Sequence, residues 1–300
     1  MRKGIAGVSI AMLGGDRREL ELAKTLLQLD VDLRLVGFPS HSDLVSAKFF
    51  SDPIAAVAAA KVVLAPMSNT DMEGRIVSRL DGGPPIDLTQ VLPRLDKGTI
   101  VLIGVAKPII RTLVNKHELK LVETAEVDEI AILNSIPTAE GAIQLAMEEV
   151  PYTIHGSRCL VLGFGRCGKT LALALSHLGA QVTVADRSRV QLAWADAFGL
   201  KPLPLADLIN HVDFDIIFNT IPALILTEVY LSKLDPSVLI IDLAAAPGGV
   251  DFAAANQLGI RAIHALSLPG KVAPLTAGKI LSDCIPRLLE EMLGGTGNAI

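Results

Sequence analysis

The chain has 300 residues, half of them apolar and 20% charged, with aromatics at only 4% and a net charge of −5; the length suggests two domains with ample material for buried cores. There is no basic run and no interleaving of aromatic with basic side chains, so nucleic acid is not expected as a partner. The three cysteines (Cys159, Cys167 and Cys284) have no C-x-x-C spacing, which argues against a disulfide framework and a structural zinc site, and no metal is expected.

Arg2 and Lys3 precede an apolar stretch, as in a signal peptide, but no A-x-A cleavage pattern follows. The stretch runs into Gly14-Gly15-Asp16-Arg17, a turn into a helix, and is read as a first strand. No apolar run reaches the ~18 residues of a membrane helix. The protein is expected to be soluble and cytoplasmic, with no membrane partner.

Strand and helix alternate over the first ~130 residues. Strands are predicted at Ser9–Leu13, Asp32–Val36, Lys61–Ala65, Thr99–Ile103 and Lys120–Val122, and a helix at Arg18–Leu29 with apolar Leu20, Ala23, Leu26 and Leu27. A helix from Thr138 to Met147, after Pro137, bridges to a second unit. That unit has predicted strands at Arg158–Leu162, Gln181–Ala185, Asp215–Asn219, Val238–Asp242 and Arg261–His264, and helices at Cys167–Leu178 and Arg189–Phe198. The pattern implies an α/β protein with two doubly wound parallel sheets and an interdomain cleft. The predicted boundaries are an N-terminal domain over 1–135, a linking helix over 136–150 and a second domain over 151–275. A helix over 276–293 is expected to pack back on the first domain, and 294–300 is expected to be a disordered tail.

The strongest motif is Gly163-Phe164-Gly165-Arg166-Cys167-Gly168, a G-x-G-x-x-G loop between a strand and a helix. Gly163 makes the tight turn, Gly165 admits a pyrophosphate, and Gly168 lets helix and sheet approach. Asp186 ends the next strand, 18 residues beyond Gly168. Its carboxylate suits ribose hydroxyls and favours NAD, whereas Arg187, Ser188 and Arg189 would welcome the extra phosphate of NADP. NADP or NAD is therefore the expected cofactor, in a Rossmann-like domain. Cys167 reads as a small residue at a helix start. Asn219-Thr220-Ile221-Pro222 and Asp242-Leu243 follow later strands and are expected to face the nicotinamide side, and Pro269 in the return hinge Leu268–Gly278 is also expected to bind the cofactor.

In the first domain the loops after strands carry the candidates for substrate. Arg17 and Arg18 follow the Gly14-Gly15 turn and could hold a carboxylate. Ser68, Asn69 and Thr70 offer neutral hydrogen bonds, and Lys107 ends another strand–loop junction. Ser135 and Thr138 lie at the hinge into the linking helix, where either could instead cap it.

In order, Gly14-Gly15-Asp16, Asn134–Gly141, Tyr152–Ser157, Asn219–Pro222, Asp242-Leu243 with Pro247-Gly248-Gly249, and Leu268-Pro269-Gly270 with Ala273-Pro274 make a set that resembles the family of dipicolinate synthase A-subunits. The likeness runs from about residue 5 to 293. The resemblance implies NAD(P)-dependent oxidation of dihydrodipicolinate to dipicolinate, with the flavoprotein-like dipicolinate synthase B-subunit as partner, in the mother-cell cytoplasm of a spore-forming bacterium. A homo-oligomer is also expected. Such chemistry needs a site for two carboxylates, for which Arg18 or Arg17, Ser68, Thr70 and Lys107 are the candidates, and a modest base, for which Glu140 and His155 are the candidates.

Three other readings compete. The hinge Leu268–Thr276 is similar to a segment of methylenetetrahydrofolate dehydrogenases, but the Tyr-x-x-x-Lys pair of that family is missing: Gly156 stands four positions after Tyr152, and Lys233 three after Tyr230. An alanine- or hydroxyacid-dehydrogenase-like enzyme is a second alternative. A non-catalytic dinucleotide-binding subunit is a third.

Overall fold

The computed structural model describes residues 4–294, so the predicted tail falls outside the described residues from 295 onward. The chain divides into two compact units, Met1–Leu133 with Ala273–Ile300, and Asn134–Val272. Each is built on a six-stranded parallel sheet.

In the first unit the strands are β1 (Ser9–Leu13), β2 (Asp32–Val36), β3 (Lys48–Phe49), β4 (Val62–Leu64), a small antiparallel pair β5 (Arg75–Ile76) and β6 (Ile86–Asp87), then β7 (Ile100–Ile103) and β8 (Lys120–Glu123). The sheet order is β3-β2-β1-β4-β7-β8, doubly wound about the β1/β4 pair. The central strands are apolar and buried because helices cover both faces: Ile10, Met12, Leu33 and Leu102 pack into one core, and Ala11, Leu13, Val63 and Val101 into the other. Helices α1 (Arg17–Gln28), α2 (Pro53–Val57), α3 (Leu88–Val91), α4 (Pro108–Lys116) and the start of α5 (Asp128–Glu149) connect them.

The second unit contains β9 (Arg158–Leu162), α6 (Arg166–His177), β10 (Gln181–Asp186), α7 (Arg189–Ala197), β11 (Lys201–Pro204), β12 (Ile216–Asn219), α8 (Glu228–Leu231), β13 (Leu239–Asp242), α9 (Phe252–Gln257), β14 (Arg261–His264) and α10 (Leu268–Val272). Its order, β11-β10-β9-β12-β13-β14, is that of a dinucleotide-binding sheet, reversing direction between β9 and β12. The long α11 (Pro274–Leu293) belongs to the first unit and packs on α1. Gly278 makes that crossing possible, since a Cβ there would come within 2.8 Å of the Glu21 side chain and 3.1 Å of the Arg18 carbonyl oxygen.

The two doubly wound sheets are those expected from the sequence. The linking helix differs. It begins at Asp128, ten residues before Thr138, with Pro137 inside it. Proline removes one backbone donor, here the one that would reach Leu133, and the boundary between the units falls at that carbonyl's own residue. The hinge containing Pro269 is a short helix rather than a loop. Among the described residues, no helix is long and apolar enough to cross a membrane.

Candidate active site

The carboxyl ends of β9 and β10 build the strongest binding geometry. Gly163 has φ +88° and lies against Thr220, whose Oγ1 would be 2.6 Å from a Cβ at that position. A Cβ on Gly168 would overlap the Gly163 carbonyl oxygen, so only glycine lets α6 start this close to β9. Gly165 is different: no protein atom lies within 4 Å of a Cβ placed there. Packing therefore does not explain the missing side chain, whereas the close approach of a pyrophosphate does. No side chain caps α6, and the positive end of its dipole suits an anion there. These residues fit the diphosphate of NAD(P).

Asp186 closes the loop. Its Oδ2 accepts from Phe164 N at 2.8 Å and its Oδ1 from Ser188 N at 2.7 Å. The carboxylate keeps further lone pairs for ribose hydroxyls. Arg187 and Arg189 are exposed, while Ser188 caps α7 through Gln191 N. Phe164 is wholly buried and contributes through its backbone, and Arg166 is exposed. Burial pushes the Cys167 thiol up to about 11, far from the thiolate a nucleophile needs.

Asn219 and Asp242, expected to face the cofactor, are both entirely buried and engage each other. Asn219 Nδ2 donates to Asp242 Oδ1 at 2.8 Å, and the Asp242 carboxylate also accepts from Ala244 N and from Gly249 N, at 3.1 and 2.7 Å. The Asn219 side chain bonds both N and O of Ile221. These two residues hold the loops after β12 and β13 rather than reaching outward, a correction to the sequence reading. Thr220 Oγ1 donates to Leu162 O at 2.8 Å. Leu243 N donates to Asn219 O. Leu243 and Pro269 are half-buried and Pro222 is exposed.

In the first unit, the loops after β1, β4 and β7 lie side by side, because those strands are neighbours in the sheet. Gly14 (φ +64°) and Gly15 (φ +137°) turn the chain into α1, with Gly15 N bonded to Ser78 O. Asp16 caps α1, and its carboxylate grips the Arg18 guanidinium through Nε and Nη2, the latter at 2.7 Å. Arg18 Nη2 also donates to Ser68 Oγ at 2.6 Å. Despite desolvation, which works the other way, the Arg18 contacts lower the Asp16 carboxyl. Gly104 N donates to Pro66 O, and a Cβ on Gly104 would overlap the Met67 carbonyl oxygen, so the loops after β4 and β7 are pressed together.

Arg18, Ser68, Asn69, Thr70 and Lys107 thus share one edge of the sheet. Asn69 is exposed in the left-handed region, φ +67°. The Thr70 hydroxyl is buried without a protein partner, and Lys107 stands half-buried at the start of α4. Arg17 is exposed.

Other predicted residues lie elsewhere. Ser135 is buried with its Oγ 2.6 Å from Thr170 Oγ1, tying α5 to α6. Thr138 donates to Asn134 O within α5, so neither hydroxyl caps a helix. Glu140 is exposed on α5. His155 precedes β9, at the amino end of its sheet, and packs on Gly179. The five residues of β9 put about 16 Å between that end and the glycine loop, too far for proton transfer there. The sequence reading missed Glu19, which bonds both Asp16 N and Met67 N at 2.9 Å. The D-x-x-E spacing of a capping box was the available signal.

Residues 9–125 match the family described as the N-terminal domain of the dipicolinate synthase A-subunit, and residues 137–254 match the D-isomer specific 2-hydroxyacid dehydrogenase, NAD binding domain. The chain is 41% identical over 297 residues to the dipicolinate synthase A-subunit of Bacillus subtilis, covering 98% of this chain and 99% of that one. The crystal structure of dipicolinate synthase, A chain, from Bacillus subtilis superposes with a TM-score of 0.89 at 38% identity, over 98% of this chain and 99% of that chain. The A-subunit from Bacillus halodurans gives 0.90 at 34%, over 95% and 98%. The glycine loop, the strand-end Asp186 and this likeness along nearly the whole chain agree: the chain belongs to the family of dipicolinate synthase A-subunits, and is an NAD(P)-dependent oxidoreductase of dipicolinate synthesis.

Proposed function

We propose that the chain oxidises dihydrodipicolinate to dipicolinate, in the cytoplasm of the mother cell of a spore-forming bacterium, together with a second, flavoprotein-like B-subunit. That its relatives are themselves A-subunits of a synthase supports the existence of such a partner. The observation that carries the reading is the pairing, in one chain, of a glycine loop shaped for a dinucleotide with a strand-end cluster that offers a held guanidinium.

When bound, NAD(P) supplies the hydride acceptor. The residues of the chain bind and orient. Arg18 is only 4% exposed and is held by Asp16 and Ser68 through Nε and Nη2, so a substrate carboxylate meets it through Nη1. Lys107 and the Thr70 hydroxyl serve the second carboxylate. A fixed guanidinium loses little side-chain entropy on binding, and orientation is the main demand of a reaction driven by aromatisation. The proton released with the hydride passes to water or to Glu140; at the amino end of its sheet, His155 is not used.

The test is a titration of the purified chain with NADH and NADPH, followed by turnover of dihydrodipicolinate with and without the second polypeptide. Cofactor binding, together with the absorbance of the aromatic dicarboxylate, is expected. Binding with no turnover in either mixture would overturn the reading in favour of another dehydrogenase or a non-catalytic role.

A further inference from the structure

Glu19 is a carboxylic acid in an apolar place. Only 4% of it is exposed, and it borders a void of about 10 Å³ lined by Met12, Met67, Thr124, Leu281 and Ile285, room for one water at most. The Thr124 hydroxyl is already committed to Ile103 O and Met67 Sδ. The two oxygens of Glu19 serve two different loops: Oε2 accepts from Asp16 N in the turn after β1, and Oε1 from Met67 N in the loop after β4. Gly15 admits it, since a Cβ there would be 2.6 Å from the Glu19 Cβ. Glu19 therefore sets the spacing between the turn that leads into Arg18 and the loop bearing Ser68.

The charges around it do not balance. Asp16 and Glu19 are two carboxyls facing one guanidinium, Arg18, and Asp16 takes the direct hydrogen bonds of that guanidinium. Among the described residues around the void, β1, β4, β7 and α11 present no further charged side chain to Glu19. With both carboxyls ionised the cluster carries one net negative charge, which opposes a dianion. With Glu19 protonated the cluster is neutral and Arg18 has a single counter-ion.

We propose that Glu19 is a positioning residue that takes up a proton when a dicarboxylate binds at Arg18 and Ser68, so that substrate binding is linked to neutralisation of this buried carboxyl. The proposal rests on the assignment of Arg18 and Ser68 as substrate ligands. Desolvation by burial pushes the Glu19 carboxyl up to about 7, the Arg18 charge pulling against it and the Asp16 charge adding to it. The group is therefore poised where a nearby dianion shifts its protonation, and linkage makes the effect reciprocal.

The test is calorimetric titration of the full chain with dipicolinate, in buffers of different ionisation enthalpy, at pH about 6, 7 and 8. The wild-type chain is expected to take up a proton, approaching one per ligand above pH ~7, and to bind about tenfold more tightly at pH ~6 than at ~8. Glu19→Gln, neutral at every pH, is expected to lose both the uptake and the pH dependence, with NADH affinity unchanged. Dipicolinate binding with no proton uptake by the wild-type chain, or uptake retained in Glu19→Gln, would overturn the assignment of Glu19 and leave the ligand site standing. If dipicolinate fails to bind while NADH binds, the ligand site falls, and the Glu19 proposal with it. Should Glu19→Gln not fold, infrared difference spectra of the wild-type chain with isotope-labelled dipicolinate decide. A gain of protonated-carboxyl absorption on binding is expected, and its absence overturns the proposal.

Discussion

Asp186 does two jobs that pull in one direction. It ties Phe164 N and Ser188 N, which shapes the glycine loop, and in the proposed cofactor site it puts a negative charge where NADP would carry its additional phosphate. Replacing Asp186 by Ser is expected to weaken NADH and NADPH alike through the loosened loop, but to raise the ratio of NADPH to NADH affinity by about tenfold, as removal of one repulsive charge implies. Fluorescence titration with the two reduced cofactors checks this, and an unchanged ratio would show that Arg187 and Arg189 set the preference alone. Glu19 makes a separate prediction for stability. Its carboxyl is raised from an ordinary 4.5 to about 7 by burial, so its favourable contribution is present below about 4.5 and lost as pH rises through about 7. Between those values the folded state holds the proton that the unfolded chain has released. Relative to Glu19→Gln, the wild-type chain should lose stability across that window, on the order of 3 kcal/mol, as read from urea unfolding at a series of pH values. A difference that stays constant with pH would contradict the raised value.

At the scale of elements, the crossing of α1 and α11 supports the edge proposed to bind substrate, because Arg18 sits in the first turn of α1. Gly278→Val is expected to push the helices apart, since backbone at the Arg18 carbonyl lies in the way, at a cost of about 1–3 kcal/mol. It should raise KM for the dicarboxylate while leaving NADH affinity unchanged, because the glycine loop belongs to the other unit. Equal losses in both would mean that the damage is not confined to the first unit. The same scale explains what was legible in the sequence. Strands such as Ser9–Leu13 and Arg158–Leu162 are apolar runs bounded by turns, and were readable because both faces are covered. β11 was not readable, because Pro202 and Pro204 are typical of loops; as an edge strand paired only with β10, it tolerates them. Pro137 misled in the opposite sense. Proline signals a helix start, and nothing local reveals that α5 runs through it. Asn219 and Asp242 were found as strand-end polar residues, but only the fold shows that they face each other and not outward.

Across the whole molecule, the glycine loop lies in one unit and the strand-end cluster proposed to hold the dicarboxylate in the other, and the likeness to dipicolinate synthase A-subunits extends over both. In the proposed function this chain itself carries out the oxidation, with Arg18 and Ser68 orienting the substrate. The most direct measurement uses dihydrodipicolinate deuterated at the ring carbon that gives up hydride, incubated with the purified chain and oxidised cofactor. The reduced cofactor is then recovered and its deuterium content measured by mass spectrometry. Deuterium is expected in the nicotinamide ring, and its loss is expected in Arg18→Ala with cofactor binding preserved. Dipicolinate formed without deuterium in the cofactor would contradict the proposed function, placing the redox step on another acceptor.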